Sequence, residues 1–338
     1  MDIMALRNDL KEICDKNEAI VGEIYQKYDL IPNLTVSLYH YTKIQGVRGI
    51  LDAGAIWATS VDYLNDASEL DYAVWLIEEL IEELIHKEIK SRGVEEFGVR
   101  DQLSRIRYEL VEHRSRSNYF VTCFCDEDDL LSQWRAYGQN GGFSLAFSAD
   151  KLESSVQRLN DHDGGVIDTK EERSCHFGKM LYDKSKQRGL VESVLKSCIQ
   201  DYSTWIAKHS INKDQLNNEL YDKKDSDFRE LFNGFAQYWA KTLLRFVTLF
   251  KHPAFTREQE WRIVHTRSTA DCKDLSFRDE KGWLIPYTEV KIDLNTCLTS
   301  ITCGPPSSSL SVQSLRTLMN SLGLQEKPIN RTTAPLRV

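Results

Sequence analysis

The spacing of apolar and polar residues along the chain predicts a mixture of helices and strands. Amphipathic helices are predicted over residues 3–30 and 67–91, and the apolar stripe of the second lies opposite a row of glutamates. Strands are predicted where apolar residues alternate with polar ones or form short runs, at residues 119–124, 142–147, 260–265, 289–294 and 298–303. Two further helices, over about residues 186–209 and 225–250, separate the early strands from the late ones. The second carries an aromatic stripe at helical spacing, which is predicted to lie in the core. This order predicts an α+β fold.

A short aromatic segment near the start of the chain, Leu38-Tyr39-His40-Tyr41-Thr42, has the character of a strand. Thr42 and Gln45 have the spacing of a capping box, so a helix is predicted to begin at Thr42, and Gly54 is placed to end it. His40 is then the last strand residue before a helix N-terminus, where a side chain is held rigidly and faces open space. A lone strand histidine with a structural role is the alternative interpretation.

A second segment, Glu258-Gln259-Glu260-Trp261-Arg262, alternates in polarity. As a strand, it places Glu258, Glu260 and Arg262 on one face. Side chains two apart on a strand are roughly 7 Å apart, so both carboxylates could act on one substrate. Arg262 could keep Glu260 ionised. An ordinary strand glutamate paired with Arg262 stays open as the simpler interpretation.

Composition sets limits on the function. The chain has 338 residues, a formal net charge of −8 and eight cysteines without a Cys-x-x-Cys pair. The negative charge argues against extensive non-specific binding to nucleic acid, and the cysteine spacing favours reduced thiols over disulfides or a zinc site. The acidic run 126–129 fits a helix start better than a metal site, so no metal is expected. The absence of a long apolar run or leader pattern predicts a cytoplasmic protein without a membrane partner.

The opening residues Leu38–Trp57 resemble the first motif of ADP-ribosyltransferases, in particular bacterial toxins that modify DNA bases. The shared features are His40-Tyr41-Thr42, a helix, Gly54 and a strand. The Glu-x-Glu strand resembles the closing motif of that superfamily. With Leu64–Glu69, Phe120–Cys125 and Ser132–Gly138, the pattern is similar to a bacterial family of uncharacterised domains over roughly residues 36–337. The long helical stretch before the glutamate strand departs from the superfamily pattern.

The resemblance implies an α+β fold with a split, mixed β-sheet at its core. In that organisation residues 1–35 form an N-terminal helical arm, and residues 36–338 form an ADP-ribosyltransferase-like domain with helical insertions at about 67–117 and 184–251. The resemblance also implies that NAD is consumed as a substrate. Signatures of other classes are absent, since the sequence has no Gly-x-Gly-x-x-Gly, Walker loop, His-Glu-x-x-His or Gly-x-Ser-x-Gly.

Cleavage of the nicotinamide–ribose bond builds positive charge on the ribose, as glycoside hydrolysis does. The resemblance makes Glu260 the expected catalytic carboxylate, which would stabilise that charge and accept a hydrogen bond from the ribose 2′-hydroxyl. Glu258 is predicted to orient or deprotonate the acceptor. His40 is predicted to bind a ribose hydroxyl of the adenosine half. The ring that stacks on nicotinamide is expected among Tyr39, Tyr41 and Tyr137.

Other residues complete the expected cofactor-binding set. They are Thr42, Asn65, Glu69, Trp134 and Arg262. The resemblance implies a role in the site for Asn65 and Glu69 without defining it. Asp66 and Glu69 also have the spacing of a helix start, which is a structural alternative for both. Burial in the core is the alternative for Trp134.

Three functions are compatible with these residues. The first is transfer of ADP-ribose from NAD to a nucleic acid or protein, in antiphage defence or a toxin system, where an inhibitory partner protein is one expected partner. The second is an enzyme on the same fold, either an NAD glycohydrolase or an RNA 2′-phosphotransferase. The third is a non-catalytic module that senses a nucleotide or binds a partner through the acidic helix at residues 67–91.

Overall fold

The computed structural model describes most of the chain, namely residues 3–31, 35–64, 69–91, 95–138, 141–162, 174–211, 226–271, 273, 275–280 and 282–334. The chain divides into two compact units, each made of three separate segments. The helical unit comprises residues 1–30, 68–116 and 181–254. The sheet unit comprises residues 31–67, 117–180 and 255–338. The predicted arm and both predicted insertions thus fall largely in the helical unit.

The helical unit has a strongly aromatic core. Its helices are α1 (Ile3–Lys27), α3 (Glu69–Ser91), α4 (Glu95–Arg116), α7 (Lys184–Lys208) and α8 (Ser226–Val247). The aromatic residues of α8 are almost fully buried, and Trp205 of α7 stacks on Phe228 and Phe235 at centroid distances of 6.4 and 6.2 Å. The predicted core role of this aromatic stripe is confirmed. Across the described residues, no helix is both long and apolar enough to span a bilayer.

The glutamates of α3 do not form an open acidic surface. Glu79 and Glu83 pair with Arg188 of α7 at 3.2 and 2.6 Å, and the other two glutamates of the row pair with Arg107 of α4. Two arginines therefore offset part of the negative charge of the row within the helical unit. This weakens the expectation that the acidic helix binds a partner.

Within the residues that the structure describes, the sheet unit is built on a ten-stranded mixed sheet. Its strands are β1 (Ser37–Thr42), β2 (Ala55–Ser60), β3 (Ser117–Cys125), β4 (Phe143–Ser148), β5 (Ser174–Lys179), β6 (Glu260–Ser268), β7 (Ser276–Glu280), β8 (Trp283–Lys291), β9 (Leu298–Cys303) and β10 (Ile329–Arg331). The main path runs β10-β9-β4-β1-β3-β2-β8-β7, and β6 joins β3 and carries β5. Only the β9–β10 pairing is parallel among those described. The predicted α+β class with a mixed sheet is confirmed.

The sheet splits along one edge of β3. On the other edge, β6 pairs with β3 over its full length, from Ser117 to Cys125. Two strands share the opposite edge of β3. Strand β1 pairs with it at Tyr39–Cys125, and β2 pairs with it at Thr59–Val121 and Ser60–Phe120. Strands β1 and β2 therefore separate from each other beside the segment of β3 between Val121 and Cys125. The Thr122 hydroxyl donates to the Trp57 carbonyl of β2 at 3.0 Å.

Helices cover one face of the sheet and close its apolar core. They are α2 (Ile44–Ala53), α6 (Ala149–His162), α9 (Leu294–Cys297) and α10 (Ser309–Ser321), while α5 (Leu131–Tyr137) packs against β1. The core includes Leu38, Val47, Leu152, Cys297 and Leu315, all nearly or fully buried. These residues come from distant parts of the chain, so the core fixes the strands that border the split.

Helix α2 begins later than predicted. Thr42 is the last residue of β1, paired with Phe143 of β4, and Lys43 precedes α2 without a side-chain cap. The predicted capping box at Thr42 is wrong because strand pairing extends through this residue. The predicted end at Gly54 is confirmed, since Gly54 has the left-handed φ of 57° and its N–H donates to the Ile50 carbonyl.

Candidate functional site

His40 lies in β1 where the sheet splits. Its Nδ1 is 2.9 Å from the carbonyl oxygen of Cys123 in β3. Because a carbonyl oxygen only accepts, Nδ1 must carry a proton, and in the neutral ring Nε2 is then an acceptor. Nε2 has no hydrogen-bond partner within the described part of the chain. The tautomer that the sheet imposes is therefore the one that can accept a hydrogen bond from a hydroxyl.

The surroundings of His40 keep its ring neutral. Burial lowers the pKa of His40, and this effect exceeds the opposing effect of the hydrogen bond to Cys123. The ring of Phe124 adds an apolar wall at a centroid distance of 5.8 Å. The neutral acceptor form is therefore expected at neutral pH.

Glu260 is the first residue of β6 and is held by Arg262. Arg262 Nε donates to Oε1 at 2.6 Å, and Nη2 donates to Oε2 at 3.2 Å. Glu260 is 5% exposed and Arg262 is 2% exposed. The ion pair expected from their spacing is present, and its bidentate geometry fixes the carboxylate. An ionised carboxylate has about four acceptor positions, and Arg262 occupies at least two of them.

Glu258 does not share a strand face with Glu260. A 3₁₀ helix spans Pro253–Glu258, and Gln259 has a left-handed φ of 44°. The chain therefore turns between the two glutamates, and the prediction of two carboxylates on one strand is wrong. The turn is closed by the side chain of Gln259, whose Nε2 donates to the Thr256 carbonyl at 2.7 Å.

The sheet register separates His40 from Glu260. Tyr39, Cys125 and Glu260 are opposite one another across β1, β3 and β6, so they point to the same face. His40 follows Tyr39 and therefore points to the other face. Adjacent strands are about 4.8 Å apart, which places the backbones of Tyr39 and Glu260 about 10 Å from each other. A ligand that contacts both His40 and Glu260 has to pass through the split.

The two tyrosines beside His40 differ in what they can contact. The Tyr41 hydroxyl donates to the Glu127 carbonyl at 3.2 Å and accepts from the Leu130 N–H at 3.0 Å. Burial raises the pKa of Tyr41 above its ordinary value. Tyr39 is half-buried on the Glu260 face, and burial raises its pKa as well. Tyr39 is the more accessible of the two for stacking on a ligand.

Trp134 belongs to the core. Its ring is fully buried, lies edge-on to Tyr41 at 4.9 Å, and donates from Nε1 to Asp129 at 2.8 Å. A Cβ atom at Gly138 or Gly304 would clash with this ring, so the pocket is closed around it. The buried alternative therefore describes Trp134, and the expectation of cofactor contact is corrected. Tyr137, at the end of α5, is 44% exposed.

Asp129 is a residue whose role the sequence did not indicate. Its carboxylate accepts hydrogen bonds from Trp134, from the Thr332 hydroxyl, and from both the N–H and hydroxyl of Thr333, the last two at 2.8 Å. Burial alone would raise the pKa of Asp129, but these hydrogen bonds together lower it. The acid ties the C-terminal residues to α5 and does not cap the helix. No group of three or more metal-binding side chains is found among the described residues.

Glu69 belongs to the helical unit, where it pairs with Lys251 at 2.9 Å. Both side chains are 7% exposed. Gln187 accepts from the Tyr72 hydroxyl at 2.8 Å and donates to the carbonyls of Leu181 and Lys251, so it holds the backbone of Lys251 in place. This ion pair is a sufficient structural reason for Glu69. Asn65 lies outside the described residues.

Comparison with known proteins assigns a family description to part of the chain. Residues 133–263, from α5 into β6, match the model of a family described as "Protein of unknown function (DUF2971)". The match includes Glu260 and Arg262 but ends before β7 and begins after His40. No curated protein and no solved structure gives a significant match. The matched region is therefore similar to a family of uncharacterised domains, in agreement with that part of the resemblance, and carries no link to ADP-ribosyltransferases.

Proposed function

We propose that the protein is an ADP-ribosyltransferase that cleaves NAD at the nicotinamide–ribose bond and transfers ADP-ribose to a nucleic acid or protein. The observation that carries the proposal is His40 at the split of the sheet. Its Nδ1 is committed to the Cys123 carbonyl, which leaves Nε2 as a fixed acceptor. A ribose hydroxyl of the adenosine half is the proposed donor. A split sheet core is also what the resemblance implies for this superfamily.

Glu260 supplies the negative charge that the reaction needs in this proposal. Positive charge develops on the ribose as nicotinamide leaves, and a fixed carboxylate lowers the energy of that state. Arg262 holds the carboxylate before substrate binds, so little reorganisation is needed. The ribose 2′-hydroxyl is the proposed donor to this carboxylate. Tyr39, on the same face, is the proposed ring for nicotinamide.

The structure gives less support to a catalytic role for Glu258 than the sequence does. It is half-buried at the end of a 3₁₀ helix and is separated from Glu260 by a turn. Its proposed role is to orient the acceptor, which attacks the ribose after nicotinamide has left. The acceptor and the biological setting, antiphage defence or a toxin system, remain part of the proposal.

A non-catalytic nucleotide-binding module is the second candidate. Two observations favour it. The buried Glu260–Arg262 pair has the geometry of an ion pair that only stabilises the fold. His40 and Glu260 also lie on opposite faces of the sheet. The RNA 2′-phosphotransferase alternative has less support. It would need several arginines directed at phosphate, whereas Arg262 is bound to Glu260 and Arg48 pairs with Asp52 at 3.2 Å.

Nicotinamide release from NAD tests the proposal. The purified protein and its Glu260→Gln variant are each assayed alone and with DNA, RNA or cell extract. Release that requires a macromolecule and falls at least about 100-fold in the variant supports the transferase. Release without an acceptor favours an NAD glycohydrolase. If no release occurs and NAD does not raise the melting temperature, the ADP-ribosyltransferase and NAD glycohydrolase hypotheses are both wrong.

Two matched variants separate chemistry from structure. Glu289 and Lys291 form an ion pair at the same strand spacing as Glu260 and Arg262, at 2.7 Å, but near the surface. Glu289→Gln should therefore keep full activity. His40→Phe removes the acceptor and keeps an aromatic ring without changing the Glu260 pair, and we expect it to raise KM for NAD about 10-fold or more. Loss of activity in Glu289→Gln equal to that in Glu260→Gln would contradict a specific role for Glu260.

A further inference from the structure

Strand β7 lies at one end of the sheet. In the described part of the chain it pairs only with β8, in a register from Ser276–Tyr287 to Glu280–Trp283. Among the described residues, the backbone N–H and carbonyl groups on the outer edge of β7 therefore have no strand partner. Such an edge is a template on which another strand can pair.

Exposed apolar side chains are concentrated on this hairpin. Phe277 is 58% exposed, Trp283 is 65% exposed and Leu284 is 70% exposed. Tyr63, at 40% exposure, contacts Trp283 edge-on at a centroid distance of 6.2 Å. Large apolar side chains grouped at one place on a surface are typical of an interaction site.

The exposed side chains lie on both faces of the hairpin. Phe277 and Leu284 share one face, because their cross-strand partners are Pro286 and Asp279. Trp283 lies on the other face, opposite Glu280. A strand added to the edge of β7 would therefore have apolar neighbours above and below it.

The charges of β7 are complementary to themselves in an antiparallel pairing. Arg278 and Glu280 share a face and pair with each other at 3.2 Å. When two copies of β7 are paired about a two-fold axis at Asp279, Arg278 of each copy lies opposite Glu280 of the other. The four charges then alternate in sign. The one unfavourable contact is between the two Asp279 carboxylates, which are exposed.

We propose that a second copy of this chain pairs along β7, so that two sheets join into one across a two-fold axis. A two-fold interface uses the same patch on both copies, and the self-complementary charges meet that requirement. The strand is short, so the interface is smaller than the roughly 1,200–2,000 Å² of stable complexes. We therefore expect a reversible dimer whose population depends on protein concentration.

Sedimentation equilibrium of the full chain from about 1 to about 100 μM tests the proposal. Arg278→Glu and Glu280→Arg each place like charges opposite one another twice, so each variant alone should dimerise at least about 10-fold more weakly. An equal mixture of the two should recover the dimer. In the mixture, every position 278 faces an opposite charge at position 280 of the other variant, although the pair within each chain stays broken.

Two further variants locate the interface. Asp279→Asn removes the like-charge contact and should strengthen the dimer. Tyr108→Ala removes an exposed ring of the helical unit, 62% accessible, and should leave dimerisation unchanged. Circular dichroism confirms that each variant is folded. A wild-type monomer at every concentration overturns the proposal, as does a dimer that persists in both charge variants or that the mixture fails to recover.

Discussion

Two glutamate–cation pairs are buried to a similar extent but differ in the origin of their partners. In the helical unit, Glu69 pairs with Lys251 at 2.9 Å, and in the sheet unit Glu260 pairs with Arg262 at 2.6 Å. All four side chains are at most 7% exposed. The first pair joins residues far apart in the chain, whereas the second joins residues two apart on one strand. Both glutamates are candidate site residues, so each pair could either stabilise the fold alone or also contact a substrate.

The comparison shows that burial of a charge does not identify a site. A buried ion pair is held by its partner, and breaking it is costly whether or not the carboxylate touches a substrate. What differs is the surroundings. Glu260 shares a sheet face with the half-buried Tyr39 close to the split, whereas Glu69 pairs with Lys251 in the helical unit, where the Lys251 carbonyl accepts from Gln187. The two pairs should therefore respond differently when charge is removed from both partners.

The largest effect is expected at Glu69. Glu69→Met leaves the buried Lys251 ammonium without this carboxylate and should lower the free energy of unfolding by about 3–5 kcal/mol. Urea denaturation followed by helical circular dichroism measures it. The double variant Glu69→Met/Lys251→Met should recover most of the loss and retain activity. Equal instability of the single and double variants would show that the pair is not the cause.

A smaller effect on stability is expected at Glu260. Glu260→Gln keeps one acceptor for Arg262, so unfolding should become easier by about 2–3 kcal/mol. Glu260→Gln/Arg262→Met should restore stability without restoring nicotinamide release. That combination distinguishes a site from a scaffold. If the double variant recovers both stability and turnover, Glu260 is structural, as Glu69 is.

Asp129 gives a third kind of carboxylate, which is half-buried and held by neutral donors instead of a cation. Its pKa is lowered from the ordinary 3.8, so its contribution to stability is present above that value and is lost as pH falls through the lower folded pKa. Asp129→Asn should lower the free energy of unfolding by about 1–2 kcal/mol at neutral pH. The difference should shrink on acidification. Melting curves from pH 7 down to about pH 3 measure it, and a constant difference would contradict this account.

The smallest effect is expected at the exposed pair Glu289–Lys291. It has the strand spacing of Glu260 and Arg262, but its side chains are 34% and 63% exposed. Water and salt screen such a pair, so Glu289→Gln should change the free energy of unfolding by less than about 0.5 kcal/mol. A loss as large as that of Glu260→Gln would mean that spacing, and not burial, determines the contribution.

Features set by neighbouring residues could be predicted from the sequence. The stop of α2 at Gly54 follows from a single residue, and the Glu260–Arg262 pair follows from strand alternation. The aromatic core of α8 follows from helical spacing. In each case the residues that determine the feature lie within a few positions of it.

Features that depend on tertiary structure or on one unusual backbone angle could not be predicted. The left-handed Gln259 turns the chain where the polarity pattern continues, so Glu258 was placed on the wrong element. Pairing with Phe143 kept Thr42 in a strand although its spacing to Gln45 suits a cap. Asp129 accepts hydrogen bonds from Thr332 and Thr333, which are 203 and 204 residues away in the chain. Of the β7–β8 hairpin only the end of β8 was predicted, because exposed apolar side chains on both faces of its other residues leave no alternation of polarity.

The interleaving of the two units has a consequence for synthesis on the ribosome. Each unit draws on three segments, and the chain passes from one unit to the other repeatedly between residues 30 and 255. The helical unit has all its segments once Ala254 has emerged, whereas the sheet unit still lacks β6 to β10 at that moment. The helices can therefore already pack, whereas the sheet that contains β1 to β4 is still incomplete. At this stage β3 lacks β6, the strand with which it pairs over its full length. A nascent chain arrested just after Ala254 would expose unpaired strand edges, and this is the stage at which chaperone binding is expected to matter most.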